Sequence, residues 1–371
     1  MFKFDFSAAD DSSSNRLESA QNSSNDGDAT INKLLRRCET SKCTIVNVSA
    51  QSLPSTSDVI NEFEPKLGFH RQETVDLLST TVDPVRYVIP RHTLSDSTTD
   101  LIPGVYEGGL KVWECSVDLC RFLASIIEKT RHTDMEIDDE EETPDLDSVT
   151  HAVKLSISQG GSTLELGCGH GLPGCLILRE NIRDNMQCVN DTSSQSSIVV
   201  FADFNDFVLQ HATIHNAQIN VSGLQRSDGS SIDEYSTART LLKQAVFVGG
   251  DWMGLSAKLT SESSIKSDGR FDLILAAETT YTTESCNDTA FLMAKHLKID
   301  TGVGLIATKR FYFGVGGGSD MLFEAVKMFN SSNAAPFSKQ QQLVIRTIKS
   351  YDTGNANIRD LIEIQLLSRR K

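Results

Sequence analysis

Polar side chains that directly follow short apolar runs are the residues of this sequence best placed to do chemistry. The clearest example is "ELGCGHG" at 165–171, which ends an apolar run and precedes a stretch with helical periodicity. Glycines at such a turn let a ligand approach the backbone, and the first N–H groups of the helix point at that ligand. The spacing is G-x-G-x-G, whereas dinucleotide folds use G-x-G-x-x-G. The candidate ligand contacts are Glu165, Gly167, Cys168, Gly169 and Gly171.

An acid, Glu165, stands at the end of this apolar run. A carboxylate there favours a ligand with positive charge over a pyrophosphate, because opposite charges attract strongly in a poorly hydrated site. The ammonium and sulfonium groups of S-adenosylmethionine meet this requirement. The alternative is a glycine-rich turn that binds no ligand.

Two further apolar runs end in acids that could contact the same ligand. "SIVVFADFN" ends in Asp203 and Asn205, and an acid at the tip of a second strand typically holds ribose hydroxyls. "VFVGGDWMG" ends in Asp251 and Trp252, which could accept from the exocyclic amine of adenine and stack on its ring. Simple packing is the alternative for Trp252. Together the three strand ends predict one S-adenosylmethionine site.

The next two apolar runs are followed by candidate substrate contacts. "FDLILAAETTYTTE" places Glu278 and Tyr281 where a nucleophile would meet a bound methyl group, and we expect these catalytic candidates to orient it. Helix capping is the alternative for Glu278. In "RFYFGVGGGSD" the glycines allow unusual backbone angles, so Gly316 and Gly317 are predicted to face the substrate on a loop that closes over it. An inert turn is the alternative.

The alternation of apolar runs with amphipathic stretches predicts the elements that position these residues. We expect an α/β fold: a Rossmann-like sheet of seven strands with helices on both faces and a C-terminal antiparallel hairpin. The predicted strands are 162–166, 198–202, 245–249, 271–276, 303–308, 342–348 and 361–367. The predicted helices are 116–129, 173–181, 206–217, 236–243, 285–297 and 319–329.

Composition predicts three regions along the chain. Residues 1–65 are rich in Ser, Asp and Asn and are predicted to be disordered, 66–103 form a partly ordered lead-in, and 104–371 form the folded domain. Loop-like composition predicts insertions in that domain at 132–148, 182–197 and 256–269. The first insertion carries nine carboxylates between Asp134 and Asp147. It either attracts a basic substrate or is a solvated loop.

Overall composition limits the classes of function. The 371 residues carry a formal charge of −15, which argues against direct nucleic-acid binding and favours a basic partner. No apolar run reaches the roughly 18 residues of a membrane span, and the polar start does not read as a secretory signal, so we expect an intracellular protein without a membrane partner. The eight cysteines show no C-x-x-C pair and no zinc spacing, so we expect reduced packing residues and no metal site.

Longer motifs point to a family. "LELGCGHG", "FADFN" and "GGDW" resemble the seven-strand S-adenosylmethionine-dependent methyltransferases. Within that class, "DLIPGVYEGGLKVWEC", "AETTY" and "YFGVGGG" resemble the histidine protein methyltransferase family, and the start "MFKFDF" is similar as well. The resemblance covers about residues 98–370.

The resemblance implies methyl transfer from S-adenosylmethionine to a histidine of a protein. The family's substrate is large-subunit ribosomal protein three, methylated at the tele nitrogen, which implies a location in cytoplasm and nucleus. In this class the segment ahead of the sheet covers the cofactor. Trp113 and Glu114 would thus contact its methionine end, and Tyr106 and Glu107 would face the substrate; packing is the alternative for Trp113. A lysine methyltransferase of the same fold and a non-catalytic scaffold that binds S-adenosylmethionine are the competing functions.

Overall fold

The computed structural model describes residues 15–48, 69–90, 106–132, 146–158, 160–187, 197–222, 224, 234–262, 265, 268–352, 354 and 357–369. Within these ranges no helix combines the length and apolar character that crossing a membrane requires. The seven cysteines in the described part of the chain are all free thiols, and five of them are buried.

The ten described strands form one large sheet and one hairpin. The strand order of the large sheet is β1-β6-β5-β4-β7-β8-β10-β9, with β6, β5, β4, β7 and β8 parallel. The bounds are β1 Cys43–Ile45, β2 Phe69–Val75, β3 Val85–Pro90, β4 Ser162–Leu166, β5 Ile198–Asp203, β6 Ala245–Gly250, β7 Leu273–Ala277, β8 Val303–Lys309, β9 Gln341–Tyr351 and β10 Arg359–Ser368. The antiparallel pair β9 and β10 confirms the predicted C-terminal hairpin.

Helices cover both faces of the large sheet, as predicted. Their bounds are α1 Asn15–Thr40, α2 Glu114–His132, α3 Asp147–Ile157, α4 Leu172–Gln187, α5 Asp206–Val208, α6 Ile214–Val221, α7 Glu234–Gln244, α8 Trp252–Ser261, α9 Thr283–His296 and α10 Ser319–Ser331. Side chains of β7 alternate between two cores. Leu273 and Leu275 pack with α2, α3 and α4, whereas Ile274 and Ala276 pack with α1, α8, α9 and α10.

The direction in which successive strands are added to the sheet reverses between β4 and β7. β5 and β6 extend the sheet from one side of β4, and β7 and β8 extend it from the other. Loops that leave the two neighbouring strands therefore diverge to opposite faces, and a crevice opens at their carboxyl ends. This crevice holds the candidate functional site.

The prediction of disorder for residues 1–65 is wrong for 15–48. This stretch forms α1 and β1, and β1 pairs antiparallel with β6 as an eighth strand of a sheet predicted to have seven. Ile31 and Leu34 are buried in the core, with Leu35 and Cys38 packed against it, so the apolar stripe is only two turns long. A stripe that short is easily missed in a polar segment, because packing against the core stabilises the helix more than local periodicity does.

The predicted insertions are smaller than their composition indicated. α4 continues to Gln187 and α8 to Ser261, so parts of 182–197 and 256–269 are helical. The acidic run at 133–145 and residues 188–196 lie outside the described residues. The helix predicted at 206–217 is divided into α5 and α6 by a π-helical turn at Leu209–Thr213.

The lead-in at 66–103 contains a hairpin of β2 and β3 that is separate from the large sheet. Asn216 and Asn220 of α6 accept hydrogen bonds from the backbone N–H groups of Val88 and Arg86, at 2.8 and 2.9 Å. The hairpin is therefore attached to the helix that follows β5. Residues 66–68 and 91–103 lie outside the described part of the chain.

Candidate functional site

A cavity of about 360 Å³ lies at the carboxyl ends of β4, β5, β6 and β7. The segment that precedes α2 forms the opposite wall. The cavity brings together most of the predicted site residues, namely Glu107, Trp113, Glu165, Gly167, Cys168, Gly169, Asp203, Asp251, Trp252, Glu278 and Tyr281. The ends of strands that lie 27 to 111 residues apart along the chain thus meet at one edge of the sheet, as the parallel topology requires.

The glycine loop after β4 forms the floor of the cavity. Gly167 and Gly169 have φ angles of 57° and 52°, a region that favours glycine. A Cβ atom on Gly169 would lie 2.8 Å from the carbonyl oxygen of Gly109. The two glycine-rich runs of the sequence therefore touch each other, and a side chain at this point would separate them.

Two buried acids stand beside this loop. Glu165 accepts a hydrogen bond from the N–H of Gly174 at 2.9 Å, and burial raises the pKa of Glu165 to about 8. Asp203 accepts from the N–H groups of Gly169 and Asn205 at 2.9 and 3.0 Å, and burial raises the pKa of Asp203 to about 6. A cation or a hydrogen-bond donor in the cavity would stabilise the ionised form of both carboxylates.

Asp251 and Trp252 lie where β6 meets α8. Oδ1 of Asp251 caps α8 by accepting from the N–H of Met253 at 2.8 Å. Trp252 lines the cavity and lies 3.4 Å from the position that a Cβ on Gly167 would take. The acid and the indole therefore form one end of the cavity next to the glycine loop.

Glu278 is held in a constrained conformation at the end of β7. Its φ angle of 56° is rare for a residue with a side chain. Oε2 accepts a hydrogen bond from the hydroxyl of Tyr312 at 2.5 Å, and Oε1 lies 3.5 Å from Nζ of Lys309. Among the described residues Oε1 has no hydrogen-bond partner, nor does the buried hydroxyl of the adjacent Thr279. Such strain and unsatisfied polar atoms are typical of functional sites.

Tyr281 connects β7 to the segment that precedes α2. Its hydroxyl donates a hydrogen bond to Oε2 of Glu107, whose backbone N–H donates to Oδ1 of Asn205 at 3.1 Å. Burial, together with the bond to Glu107, raises the pKa of Tyr281 well above its ordinary value. Tyr281 therefore stays protonated at neutral pH, and it can donate a hydrogen bond but cannot act as a base.

Six predicted site residues do not line the cavity: Tyr106, Glu114, Gly171, Asn205, Gly316 and Gly317. Glu114 pairs with Arg359 at 3.3 Å, and its contact with the methionine end stays a prediction. Tyr106 is buried, and its hydroxyl accepts from the N–H of Leu110 at 3.0 Å. Asn205 contacts two residues that line the cavity: its Oδ1 accepts from the N–H of Glu107 at 3.1 Å, and its N–H donates to Oδ1 of Asp203 at 3.0 Å.

Packing explains the position of Gly171, where a Cβ would lie 2.7 Å from Thr213. Gly316 and Gly317 belong to the loop after β8, next to Val315, which lines the cavity. The N–H of Gly317 donates to the carbonyl oxygen of Tyr281 at 3.2 Å, so the loop is attached to the segment after β7. That these glycines face a substrate stays a prediction.

Four residues at or beside the cavity were not predicted from the sequence: Arg37, Asp288, Lys309 and Tyr312. Lys309 and Tyr312 follow an apolar strand in "TKRFYFG", the same signal that identified Glu278 and Tyr281, and could have been found by it. Arg37 and Asp288 lie on helices and line the cavity through their tertiary positions. No local pattern marks them.

No family model matches the sequence. Individual proteins do. The chain is 31% identical over 268 residues to histidine protein methyltransferase 1 homolog of Dictyostelium discoideum, covering 72% of this chain and 60% of that protein. It is 31% identical to the Mus musculus homolog, over 60% of this chain and 50% of that protein. It is 29% identical to histidine protein methyltransferase 1 of Schizosaccharomyces pombe, over 60% of this chain and 57% of that protein.

The chain spans about half to three fifths of the length of these relatives. Among solved structures, the O-methyltransferase TomG of Streptomyces achromogenes is 10% identical with a TM-score of 0.35, over 70% of this chain and 92% of that chain. The α/β fold is shown by the order and direction of the strands in the large sheet. Sequence similarity over 60–72% of the chain thus confirms the resemblance to the histidine protein methyltransferase family that the motifs indicate.

Proposed function

We propose that this protein transfers a methyl group from S-adenosylmethionine to a ring nitrogen of a histidine in a protein. The observation that carries the proposal is a single cavity. It is lined by the glycine loop, Asp203, Asp251 and Glu278, and Oε1 of Glu278 has no hydrogen-bond partner among the described residues. The similarity to histidine protein methyltransferases supports the same reaction.

The residues present fit the cofactor. The loop at 167–169 provides a cradle that a Cβ atom would fill, and no cation of the described residues lies within hydrogen-bonding range of the buried acids Glu165 and Asp203. Glu165 would face the cationic methionine end, Asp203 the ribose hydroxyls, and Asp251 with Trp252 the adenine. When bound, S-adenosylmethionine supplies an electrophilic methyl group on a positively charged sulfur.

Glu278 would select the nitrogen that reacts. An imidazole has a pKa near 6.5, so most of it carries a free lone pair at neutral pH and needs no strong base. Oε1 of Glu278, which lies 3.5 Å from Nζ of Lys309 and has no hydrogen-bond partner among the described residues, would accept a hydrogen bond from the pros N–H and leave the lone pair on the tele nitrogen. The ring becomes cationic as its lone pair forms the new N–C bond and the S–CH₃ bond breaks, its electron pair staying on sulfur as neutral S-adenosylhomocysteine, and the carboxylate of Glu278 would stabilise the ring's charge. The pros proton then leaves to water.

The substrate that fits best is a basic protein. The formal charge of −15 and the acids Glu107, Glu278 and Glu284 at the cavity favour a positively charged partner. We extend the proposal to a histidine of large-subunit ribosomal protein three. A protein acting on this substrate would work in the cytoplasm and nucleus, without direct contact to nucleic acid or membrane.

One experiment tests the reaction. The purified protein is incubated with labelled S-adenosylmethionine and with ribosomal proteins that lack the modification, and mass spectrometry locates the label. We expect label on the tele nitrogen of a histidine. Label on lysine would identify a lysine methyltransferase instead, and absence of label with intact cofactor binding would favour a scaffold.

Two variants separate cofactor binding from catalysis. Glu165→Ala is expected to lose cofactor binding. Glu278→Gln is expected to lower kcat by about a hundredfold while the Kd for S-adenosylhomocysteine stays within a factor of about two. Glu324→Gln, an exposed change of the same type on α10, serves as the control and should leave both constants unchanged.

A further inference from the structure

The N-terminal helix α1 reaches the cavity through one side chain. Nη2 of Arg37 donates to Oδ2 of Asp251 at 2.8 Å. Nη1 of Arg37 donates to both carboxylate oxygens of Asp288, at 2.9 and 3.1 Å, and to Oε1 of Glu284 at 3.1 Å. Arg37 and these three acids all line the cavity. One guanidinium thus joins three carboxylates that α8 and α9 bring to the same end of the site.

These acids need a cation where they stand. Burial raises the pKa of Asp288 to about 7, although Arg37 acts against this shift. For Asp251 the hydrogen bond and charge of Arg37 overcome burial, and the pKa of Asp251 falls below its ordinary value. Without Arg37 the three carboxylates would repel one another, and Asp251 would lose the partner that fixes its orientation.

A second observation shows that the N-terminal segment is closely fitted to this corner. Gly250 and Gly254 lie on either side of Asp251 in the chain. A Cβ on Gly250 would lie 2.6 Å from the carbonyl oxygen of Lys42, and a Cβ on Gly254 would lie 2.8 Å from the carbonyl carbon of Lys42. The backbone around Asp251 thus has room for the segment after α1 only because both positions are glycine.

The middle of α1 is anchored as well. The carboxylate of Asp28 accepts hydrogen bonds from the Ser332 hydroxyl and from the N–H of Asn333, at the end of α10. Between the two anchors, Ile31 and Leu34 are buried in the core. α1 is therefore a docked element of the domain, with its last turns at the cavity.

From these contacts we infer that Arg37 is a positioning residue of the cofactor site, which acts by holding Asp251 to accept a hydrogen bond from the exocyclic amine of adenine. The inference rests on the proposed function. Oδ1 of Asp251 accepts from the N–H of Met253 and Oδ2 from Arg37, and the side chain of Ser41 also bonds to this carboxylate. Of the roughly four lone pairs of a carboxylate, one thus stays available to the amine. α1 thereby contributes one side chain, Arg37, to the cofactor pocket, although the helix precedes the motifs from which the pocket is predicted.

Selectivity for the amine provides the test. S-adenosylhomocysteine and S-inosylhomocysteine, which carries an oxygen in place of the amine, are each titrated calorimetrically into the full-length protein. We expect the wild-type protein to prefer the adenosyl compound by about tenfold or more. In Arg37→Ala the Kd for S-adenosylhomocysteine should rise about tenfold, and the preference should fall below about threefold. Arg37→Lys should recover part of both.

The matched control is Arg36→Ala, which removes the same charge from an exposed position on the same helix. It should change the Kd by less than about twofold. The preference is a ratio of two constants from one preparation, so partial unfolding does not alter it. If Arg37→Ala keeps the wild-type preference, the inference is wrong. If the wild-type protein binds neither compound, it is the proposed function that fails.

Discussion

The hydroxyl of Tyr312 donates a hydrogen bond to Oε2 of Glu278 at 2.5 Å, from the loop after β8 to the end of β7. The two residues are 34 positions apart and follow neighbouring strands of the sheet. The bond leaves Oε1 as the unsatisfied oxygen of a buried carboxylate. Tyr312 therefore determines which oxygen of Glu278 is available to a substrate.

Replacing Tyr312 with phenylalanine should slow the reaction. Without the hydroxyl, Glu278 loses its hydrogen bond and can rotate, so we expect Tyr312→Phe to lower kcat about tenfold or more. The Kd for S-adenosylhomocysteine should stay within a factor of about two, since Tyr312 does not line the cavity. Single-turnover kinetics and calorimetry measure the two constants. Tyr351→Phe, which removes a tyrosine hydroxyl on β9, is the control. Equal kcat for the two variants would contradict the role of Tyr312 in orienting Glu278.

Cofactor binding should release a proton near neutral pH. Burial raises the pKa of Glu165 to about 8, so its carboxyl is largely protonated at pH 7 in the free protein. A bound cation favours the carboxylate, and the affinity for S-adenosylmethionine should therefore increase as the pH rises from 6 to 8. Asp203, with a pKa raised by burial to about 6, contributes at the lower end.

Calorimetry in buffers with different ionisation enthalpies measures this release. Glu165→Gln should bind more weakly and show a flatter dependence between pH 6.5 and 8. Since the folded-state pKa of Glu165 lies above its ordinary value of 4.5, its ionisation opposes folding. The stability of the free protein should accordingly gain less, or fall, as the pH rises from about 5 to 8. Binding at pH 7 without proton release would refute the assignment.

Two glycines distinguish backbone strain from crowding. Gly171 and Gly314 have φ angles of 68° and 82°, so alanine at either position should cost about 1–2 kcal/mol of unfolding free energy. A Cβ on Gly171 would also lie 2.7 Å from Thr213, whereas one on Gly314 would have no atom within 4 Å. Crowding should add about 1–3 kcal/mol for Gly171→Ala alone. Urea unfolding measures the unfolding free energy of both variants. Equal decreases would show that the residues around Gly171 move to accommodate the added Cβ atom.

Exposed apolar side chains beside the cavity should bind the protein substrate. Phe313 is 83% exposed, in the same loop as Val315, which lines the cavity. Phe313→Ser should raise KM for the protein substrate about tenfold, through loss of apolar burial on binding, without changing the cofactor Kd. Leu78→Ser, at a residue 74% exposed in the β2–β3 hairpin, should have no such effect. A KM within about twofold of wild type for Phe313→Ser would exclude this contact.

The parallel core of the fold could be predicted because its signals are local. β4, β7 and β8 are apolar runs buried on both faces, and each is followed by polar or glycine-rich residues. Parallel strands place such residues at one edge of the sheet, and the sequence therefore predicts that Glu165, Asp203 and Glu278 lie close together there. The N-terminal region was misjudged, because α1 carries only a short apolar stripe and its stability comes from packing.

The sequence by itself determined the order of the strands from β4 to β10 and the acids at the ends of β4, β5, β6 and β7, since a few neighbouring residues encode each of these features. Tertiary structure alone decided which charges face each other inside the cavity. Arg37 meets Asp251 across 214 residues, and Tyr281 meets Glu107 across 174. The physical reason is that hydrogen bonds and ion pairs act over a few ångströms. Their partners are chosen by the packing of α1 and α2 on the sheet, which no local pattern specifies.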